Sequence, residues 1–340
     1  MIGFRVDSNN KIATGHLMRC ITIALQCKKI GEDVIFFMAE ENNIEMLEKN
    51  NINFEILHSD WQNWDLDIKL MKDKIVKWNV SKLVVDSYQV SPLFLKKINS
   101  IVKVMYIDDF CNQKLDVTYL SHALYWDNDY YLEKMYSNTD VVMLNGLKYV
   151  LLRDEFSKIN QKQTRKKQIV ITTGGTDTYH VTYKLADEIV KDEIFAGYKL
   201  LLILGVLNPD EQIIKELCSE YPNVEYKKNI SNMADVFSES EYVILAGGNT
   251  IYEACACGTH AISFSFADNQ LNSCNEFDKR KIIPYAGDAR ESTDSISKII
   301  LTKLKQLMHD IEYQNNSRNC MQQLVDGKGA QRIASVLCGK

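Results

Sequence analysis

The sequence contains no CxxC pair, no basic leader followed by an apolar stretch, no short-period repeat and no low-complexity tract. Its apolar runs all fall well short of the roughly 20 residues that a membrane span requires. Its charges nearly balance, at −5 formal with 25% charged residues. Each absence closes a class. Without paired cysteine spacing there is no zinc-knuckle signature: Cys255-Ala-Cys257 is too tightly spaced and sits in an apolar helical run, so the nine cysteines read as reduced structural thiols. Without a leader or a span, the expectation is a cytoplasmic protein with no membrane insertion. Without a charge excess, neither a disordered chain nor a nucleic-acid binder driven by net charge is expected, although a local basic patch stays open.

What remains is a globular chain of 340 residues, 46% of them hydrophobic. That length fits two domains of about 150 residues each. Short apolar strand candidates alternate with helical segments, the pattern of parallel sheets built from βαβ units. In the first half they are Ile2 to Asp7, Asp33 to Ala39, Phe54 to His58, Lys82 to Asp86, Val104 to Asp108 and Asp140 to Leu144. The series restarts with Gln168 to Thr173, Lys199 to Gly205, Val224 to Lys227, Tyr242 to Ala246 and His260 to Phe266. Ser157 to Lys167 is polar and basic and has no apolar periodicity. The expected organisation is therefore an α/β protein with a domain over 1–156, a linker over 157–167 and a second domain over 168–340. The C-terminal helices are read as packing across the domains. Ligands of such sheets bind beyond the carboxyl ends of the strands, and a cleft between the two domains is the expected site.

The segment from Arg5-Val6-Asp7 through Thr14-Gly15-His16-Leu17-Met18-Arg19-Cys20 joins a strand to a helix and sets a histidine at the helix start. Unpaired amides and the positive end of the helix dipole suit a diphosphate there. The same field disfavours an imidazolium, which would keep His16 neutral and able to accept a proton. His16 and Arg19, three residues apart, share one helical face, so the base stands beside a cation.

Three loops of the second half follow strands and open helices. Gly247-Gly248-Asn249-Thr250 runs into a helix expected near Ile251. Its glycines would let a ligand approach the amides, and Glu253 would either accept ribose hydroxyls or close a capping box with Thr250. Gly174-Gly175-Thr176-Asp177 would approach a sugar or diphosphate, or else Asp177 or Thr176 caps the next helix. Asp268-Asn269-Gln270 suits hydroxyl and phosphate recognition, with Asp268 as a plain N-cap the alternative. In the first half Asp86-Ser87-Tyr88 and Asp108-Asp109 bring acids and a phenol to one sheet edge. They read as loop caps and hinge contacts rather than a metal site, since no cluster with ligand spacing accompanies them. His58, His122, His180 and His260 have no recognisable partner by spacing.

Taken in order, these pieces resemble the nucleotide-sugar hydrolases of pseudaminic acid biosynthesis and the related spore coat polysaccharide proteins. The elements are Arg5-Val6-Asp7, Thr14 to Cys20, Asp86-Ser87-Tyr88, Ile107-Asp108-Asp109, Tyr149-Val150-Leu151-Leu152-Arg153-Asp154-Glu155-Phe156, Gly174 to Asp177, Gly247 to Thr250 with Glu253, and Asp268 to Gln270. No single one is specific, but together they span nearly the whole chain. The resemblance implies a GT-B-like fold of two Rossmann-like domains. It also implies hydrolysis of a UDP-linked 2,4-diacetamido-2,4,6-trideoxy-altropyranose to UDP and free sugar, with no cofactor and no metal. In those terms the first domain is the sugar side, with His16 as general base, Asp7 and Arg19 assisting and Gly15 and Tyr88 at the substrate. The loops from Gly247 to Glu253 and from Asp268 to Gln270 would hold the uridine diphosphate, and Gly174, Gly175 and Asp177 would bind substrate or nucleotide.

Two positions depart from that pattern. Ala13 stands where members often carry glycine, and His180 where an asparagine is common. Glu291 to Lys340 is also longer than in compact members. A glycosyltransferase using the same residues with a hydroxyl acceptor, or a nucleotide-sugar-binding module without catalysis, are the alternatives. The sequence is silent on oligomeric state.

Overall fold

Parallel strands, each followed by a helix or a turn, set the architecture of the computed structural model. It describes all residues except 10, 13, 124–128, 160–163, 206–207 and 229. The departure at Ala13 therefore lies outside the described residues, as does the middle of the expected linker. The chain divides into two compact units, one formed by Met1–Arg153 with Gly327–Lys340 and the other by Asp154–Asp326.

In the first unit the strands are β1 (Ile2–Val6), β2 (Val34–Met38), β3 (Asn53–Ile56), β4 (Lys82–Asp86), β5 (Lys103–Ile107), β6 (Tyr119–His122) and β7 (Val142–Asn145). Among the described residues they form a seven-stranded parallel sheet in the order β3-β2-β1-β4-β5-β6-β7. The helices are α1 (Gly15–Ile30), α2 (Glu45–Lys49), α3 (Ile68–Lys77), α4 (Pro92–Asn99) and α5 (Asp129–Tyr136). The order reverses between β1 and β4, which pair in register from Ile2 with Lys82 to Val6 with Asp86. β6 was not expected from sequence. Its four residues include Ser121 and His122, both buried, so hydrophobic patterning does not mark it.

The second unit holds β8 (Lys166–Thr172), β9 (Lys199–Leu204), β10 (Val224–Lys228), β11 (Ser240–Ala246), β12 (His260–Ser265) and β13 (Tyr285–Asp288). Its described strands run in the order β10-β9-β8-β11-β12-β13, again parallel, with the reversal between β8 and β11. The helices are α6 (Val181–Val190), α7 (Glu211–Glu220), α8 (Met233–Glu239), α9 (Asn249–Cys257), α10 (Asp268–Lys279), α11 (Thr293–His309) and α12 (Ile311–Leu324). β13, a short Tyr-Ala-Gly-Asp strand, also lacks a hydrophobic run and was not expected.

The last helix, α13 (Gly329–Cys338), departs from the expected division. Residues 327–340 belong to the first unit, because Ile333, Ala334 and Leu337 are buried in the same core as Leu17, Cys20, Ile21 and Ala24 of α1. Each buried Ile or Leu contributes about 1.5–3 kcal/mol, so that apolar face holds α13 against α1. The expected linker is corrected too. The unit boundary falls at Arg153/Asp154, and Arg165 and Lys166 are already tied into the second sheet.

Candidate functional site

The reversal between β1 and β4 sets the start of α1 beside the carboxyl end of β4, the place where open parallel sheets bind ligands. There His16 Nδ1 lies 2.6 Å from Asp86 Oδ1. Asp86 is fully buried and ionised, so it can only accept, and the imidazole must carry its proton on Nδ1. Nε2 is left as the basic nitrogen, with no hydrogen-bond partner among the described residues.

Arg19 completes the arrangement. Its Nε and Nη2 donate to the two oxygens of Asp86 at 2.5 and 2.6 Å, and its Nη1 donates to both oxygens of Asp109 at 3.0 and 2.9 Å. The 3.2 Å approach of Arg19 Nη2 to His16 Nδ1 sets two N–H groups side by side and is not a hydrogen bond. Burial alone would raise the Asp86 carboxyl, but the charge and hydrogen bonds of Arg19, followed by those of His16, outweigh it and hold Asp86 below the ordinary range. Burial would likewise lower Arg19, and Asp86 with Asp109 raises it instead. The expected pairing of base and cation on one helical face is thus present, but it runs through a carboxylate 67 residues away from Arg19. Arg19 spends its guanidinium on two acids, so it is better placed to position Asp86 than to meet a free anion.

Tyr88 donates to Asp109 Oδ2 at 2.7 Å and sets its ring edge-on to His16, with centroids 4.5 Å apart. Its phenol is pushed up by burial and then by Asp109. Half of Tyr88 is exposed, and it stacks obliquely on the exposed Phe110. His16, Tyr88, Asp7, Lys11 and Ser87 line a cavity of about 240 Å³. Asp7 is buried; its Oδ1 accepts from the Ala39 amide and from Arg5 Nη1, both at 2.7 Å, while its Oδ2 has no partner among the described residues. Gly15 is the exposed first residue of α1. Asp86 and Asp109 were legible as acids at strand ends but not as partners of His16 and Arg19. The order β1-β4-β5, which follows from the crossovers, makes them so.

In the second unit Gly174 and Gly175 follow β8, Gly247 and Gly248 follow β11, and α10 starts after β12. These three strands are neighbours, so the three loops share one edge. Gly248 has φ 109°, a conformation that side chains resist, and it precedes Asn249, the first residue of α9. The helix therefore begins two residues before the expected Ile251, Thr250 lies inside it, and no side-chain cap forms at its start. The capping-box alternative for Thr250 and Glu253 is not realised. Asn249 is exposed, and Thr250 and Glu253 are half-buried.

For Asp177 the helix-capping alternative is the one realised. It is buried and gives one carboxylate oxygen to the Val181 amide at 2.9 Å and the other to the Thr182 amide at 2.8 Å, so it caps α6. Asp268, by contrast, is not an N-cap: Ala267 holds that position, and the exposed Asp268 carboxylate pairs with Arg290 at 2.6 Å. Gln270 Oε1 accepts from the Phe266 amide at 2.9 Å, and Asn269 is exposed. Gly205, not singled out from sequence, closes the edge: a Cβ there would stand 2.3 Å from the carbonyl oxygens of Gly174 and Gly175. His180 sits at φ 58°, the left-handed region that asparagine tolerates best after glycine, and bonds Asp210 at 2.7 Å.

Among the described residues no group of three His, Cys, Asp or Glu side chains is placed to hold a metal, and no helix is long and apolar enough to cross a membrane.

No family model matches the chain. It is 24% identical over 280 residues to an uncharacterized protein of Methanocaldococcus jannaschii, covering 76% of this chain and 54% of that protein. It is 21% identical to the spore coat polysaccharide biosynthesis protein SpsG of Bacillus subtilis, covering 60% of each. The UDP-2,4-diacetamido-2,4,6-trideoxy-beta-L-altropyranose hydrolase of Campylobacter jejuni is 24% identical, over 82% of this chain and 96% of that one. The chain thus spans little more than half the length of the first two relatives, and nearly all of the third. The last two relatives support the resemblance carried by the ordered motifs. Among solved structures, UDP-GlcNAc 2-epimerase from Neisseria meningitidis has a TM-score of 0.68 at 14% identity and full coverage of both chains. MurG of Acinetobacter baumannii has 0.65 at 12% identity, covering 100% of this chain and 99% of that one. These likenesses bear on the fold, which is GT-B-like with two Rossmann-like parallel-sheet units.

Proposed function

We propose that this chain processes a nucleotide sugar in polysaccharide biosynthesis. Specifically, we propose a metal-independent hydrolase that cleaves a UDP-linked 2,4-diacetamido-2,4,6-trideoxy sugar to UDP and free sugar on the route to pseudaminic acid. The observation that carries the reading is the hydrogen bond from His16 Nδ1 to buried Asp86, which leaves Nε2 as a base at a cavity. The Campylobacter jejuni relative's name supplies the substrate class.

In the proposed reaction Nε2 of His16 takes a proton from water as the water oxygen bonds to the anomeric carbon. The bond from that carbon to the diphosphate oxygen breaks, and UDP leaves with the electron pair. Asp86 stabilises the imidazolium that forms and fixes its orientation. Arg19 and Asp109 hold Asp86 in place, and Asp7, fixed by the Ala39 amide and Arg5, forms part of the wall beside the water. In the second unit the amides opening α9 and α10 receive the diphosphate, helped by the open backbone at Gly174, Gly175, Gly247 and Gly248. Asn249, Thr250, Glu253, Asn269 and Gln270 contact the nucleotide.

The test is incubation with a panel of UDP-sugars without acceptor, with UDP and free sugar identified by mass. Release of UDP with the diacetamido sugar supports the hydrolase. Release only when a hydroxyl acceptor is added assigns a glycosyltransferase, and tight binding without release assigns a binding module.

A further inference from the structure

A second cavity, of about 530 Å³, lies in the second unit at the amino-terminal ends of its strands. Glu241 and Tyr242 open β11 and His260 opens β12, whereas Gly247 and Asp268 follow the other ends of the same strands. Gly247 lies six residue steps along the strand from Glu241, about 20 Å at the usual rise. The volume suits a small metabolite rather than a single inorganic ion.

Its polar lining has an excess of donors. Arg165 donates to the carbonyls of Phe237, Ser240, Cys257 and Gly258 and to the Thr259 hydroxyl, at 2.7–3.1 Å. Arg318 donates through Nε to Gly258 O at 3.1 Å and through Nη2 to His260 Nε2 at 2.6 Å. Neither guanidinium forms an ion pair with a carboxylate among the described residues. The simplest role for both is to cap the carboxyl end of α9, whose partial negative charge is about half a unit. That role leaves atoms over. Arg318 Nη1 has no hydrogen-bond partner among the described residues, and because His260 Nε2 accepts, the proton of this buried ring sits on Nδ1, which is enclosed and has no partner among them.

Burial, then Arg318 and Arg165, push His260 down to about 3, so the ring is neutral. Burial, then Arg318, lowers Arg165 to about 10. The groups facing this cluster are few. Glu241 is the one acid in the lining, and the Tyr198 hydroxyl engages it. Two guanidiniums against one carboxylate and one helix end leave a cationic surplus, and Tyr242, Gln314 and Gln322 supply neutral polar contacts around it.

We propose that this cavity binds a small hydroxylated molecule bearing an oxyanion, a phosphate ester or a carboxylate, at a site separate from the three glycine- and acid-bearing loops. Arg318 receives the oxyanion, with His260 holding its guanidinium through Nε2, and the glutamines and Tyr242 meet the hydroxyls. Fixed planar guanidiniums with spare N–H groups favour that recognition. The site is independent of the reaction proposed above.

The experiment is calorimetric titration of the full chain with glucose 6-phosphate, glucuronate and neutral glucose, in the wild type and in Arg318→Gln and Gln322→Glu. Saturable binding of one or both anions but not of glucose is expected, and the binding anion identifies the oxyanion. Each substitution should weaken it about tenfold or more, the worth of a charge-assisted hydrogen bond, with UDP binding unchanged. Gln322→Glu keeps every contact of Arg318, so it reports even where Arg318→Gln fails to fold. Absence of anion binding up to roughly 10 mM, equal binding of glucose, or anion binding that survives Gln322→Glu overturns the proposal.

Discussion

Replacing Asp86 with asparagine tests the chemistry at its least replaceable point. The carboxylate accepts from His16 on one oxygen and from Arg19 on both, so all of its bonds are received. An amide has one accepting oxygen and one donating nitrogen. If the nitrogen faces His16, the ring proton is driven from Nδ1 to Nε2 and the base is lost. If it faces Arg19, two donors collide. Either way turnover should fall about 100- to 10,000-fold, the range for losing a general base or its orienting acid.

The stability cost should be about 2–3 kcal/mol, the worth of hydrogen bonds to a charged group. It stays moderate because Arg19 keeps both bonds to Asp109. The sign with pH follows from the depressed Asp86 carboxyl. Its added stability is fully present above the unfolded value near 4 and drains away as pH falls through the lower folded value. Wild type and Asp86→Asn should therefore differ most above about pH 5 and converge in acid. UDP release in a coupled assay gives the rate, and urea melts from pH 3 to 7 give the stability. Turnover within about threefold of wild type in a folded Asp86→Asn protein would refute the tautomer argument.

His16→Asn should bind UDP as wild type does yet lose about 100- to 10,000-fold in turnover; calorimetry beside the release assay checks both, and full activity would remove His16 as base. Asp177→Ala should cost about 1–2 kcal/mol in urea melts through the lost α6 cap while leaving UDP affinity at low denaturant unchanged, and a selective loss of affinity would instead restore Asp177 as a ligand. Gly205→Ala places a methyl against two backbone oxygens that cannot rotate away, so it should destabilise the second unit by about 1–3 kcal/mol and weaken UDP binding by displacing the Gly174-Gly175 turn; an unchanged melt would contradict the contact.

The strand-to-helix turns were readable because glycine pairs, a polar break and a histidine stand out after apolar runs. Lys82–Asp86 is bounded in the structure where the sequence placed it. The partners of those turns were not readable, since the chain between His16 and Asp86, 70 positions apart, carries no mark of which strands become neighbours. Asp177 shows a different obscurity: the same acid after a glycine pair serves a ligand or a helix, and only the two amides it meets decide between them. β6 and β13 escaped because a short strand with polar residues and a glycine does not announce itself by hydrophobicity. Arg165 fell inside a stretch whose basic composition suggested a linker, although five neutral acceptors fix its side chain.

The return of α13 to the first unit also orders events on the ribosome. Domains usually close in the sequence in which they are synthesised. Here the unit that starts first finishes last. Ile333, Ala334 and Leu337 must emerge before the core beneath α1 is complete, and by then every residue of Asp154–Asp326 has been made. The helix that presents His16 thus waits for the second unit, and a chain released before residue 333 would carry a finished second unit beside an open first one.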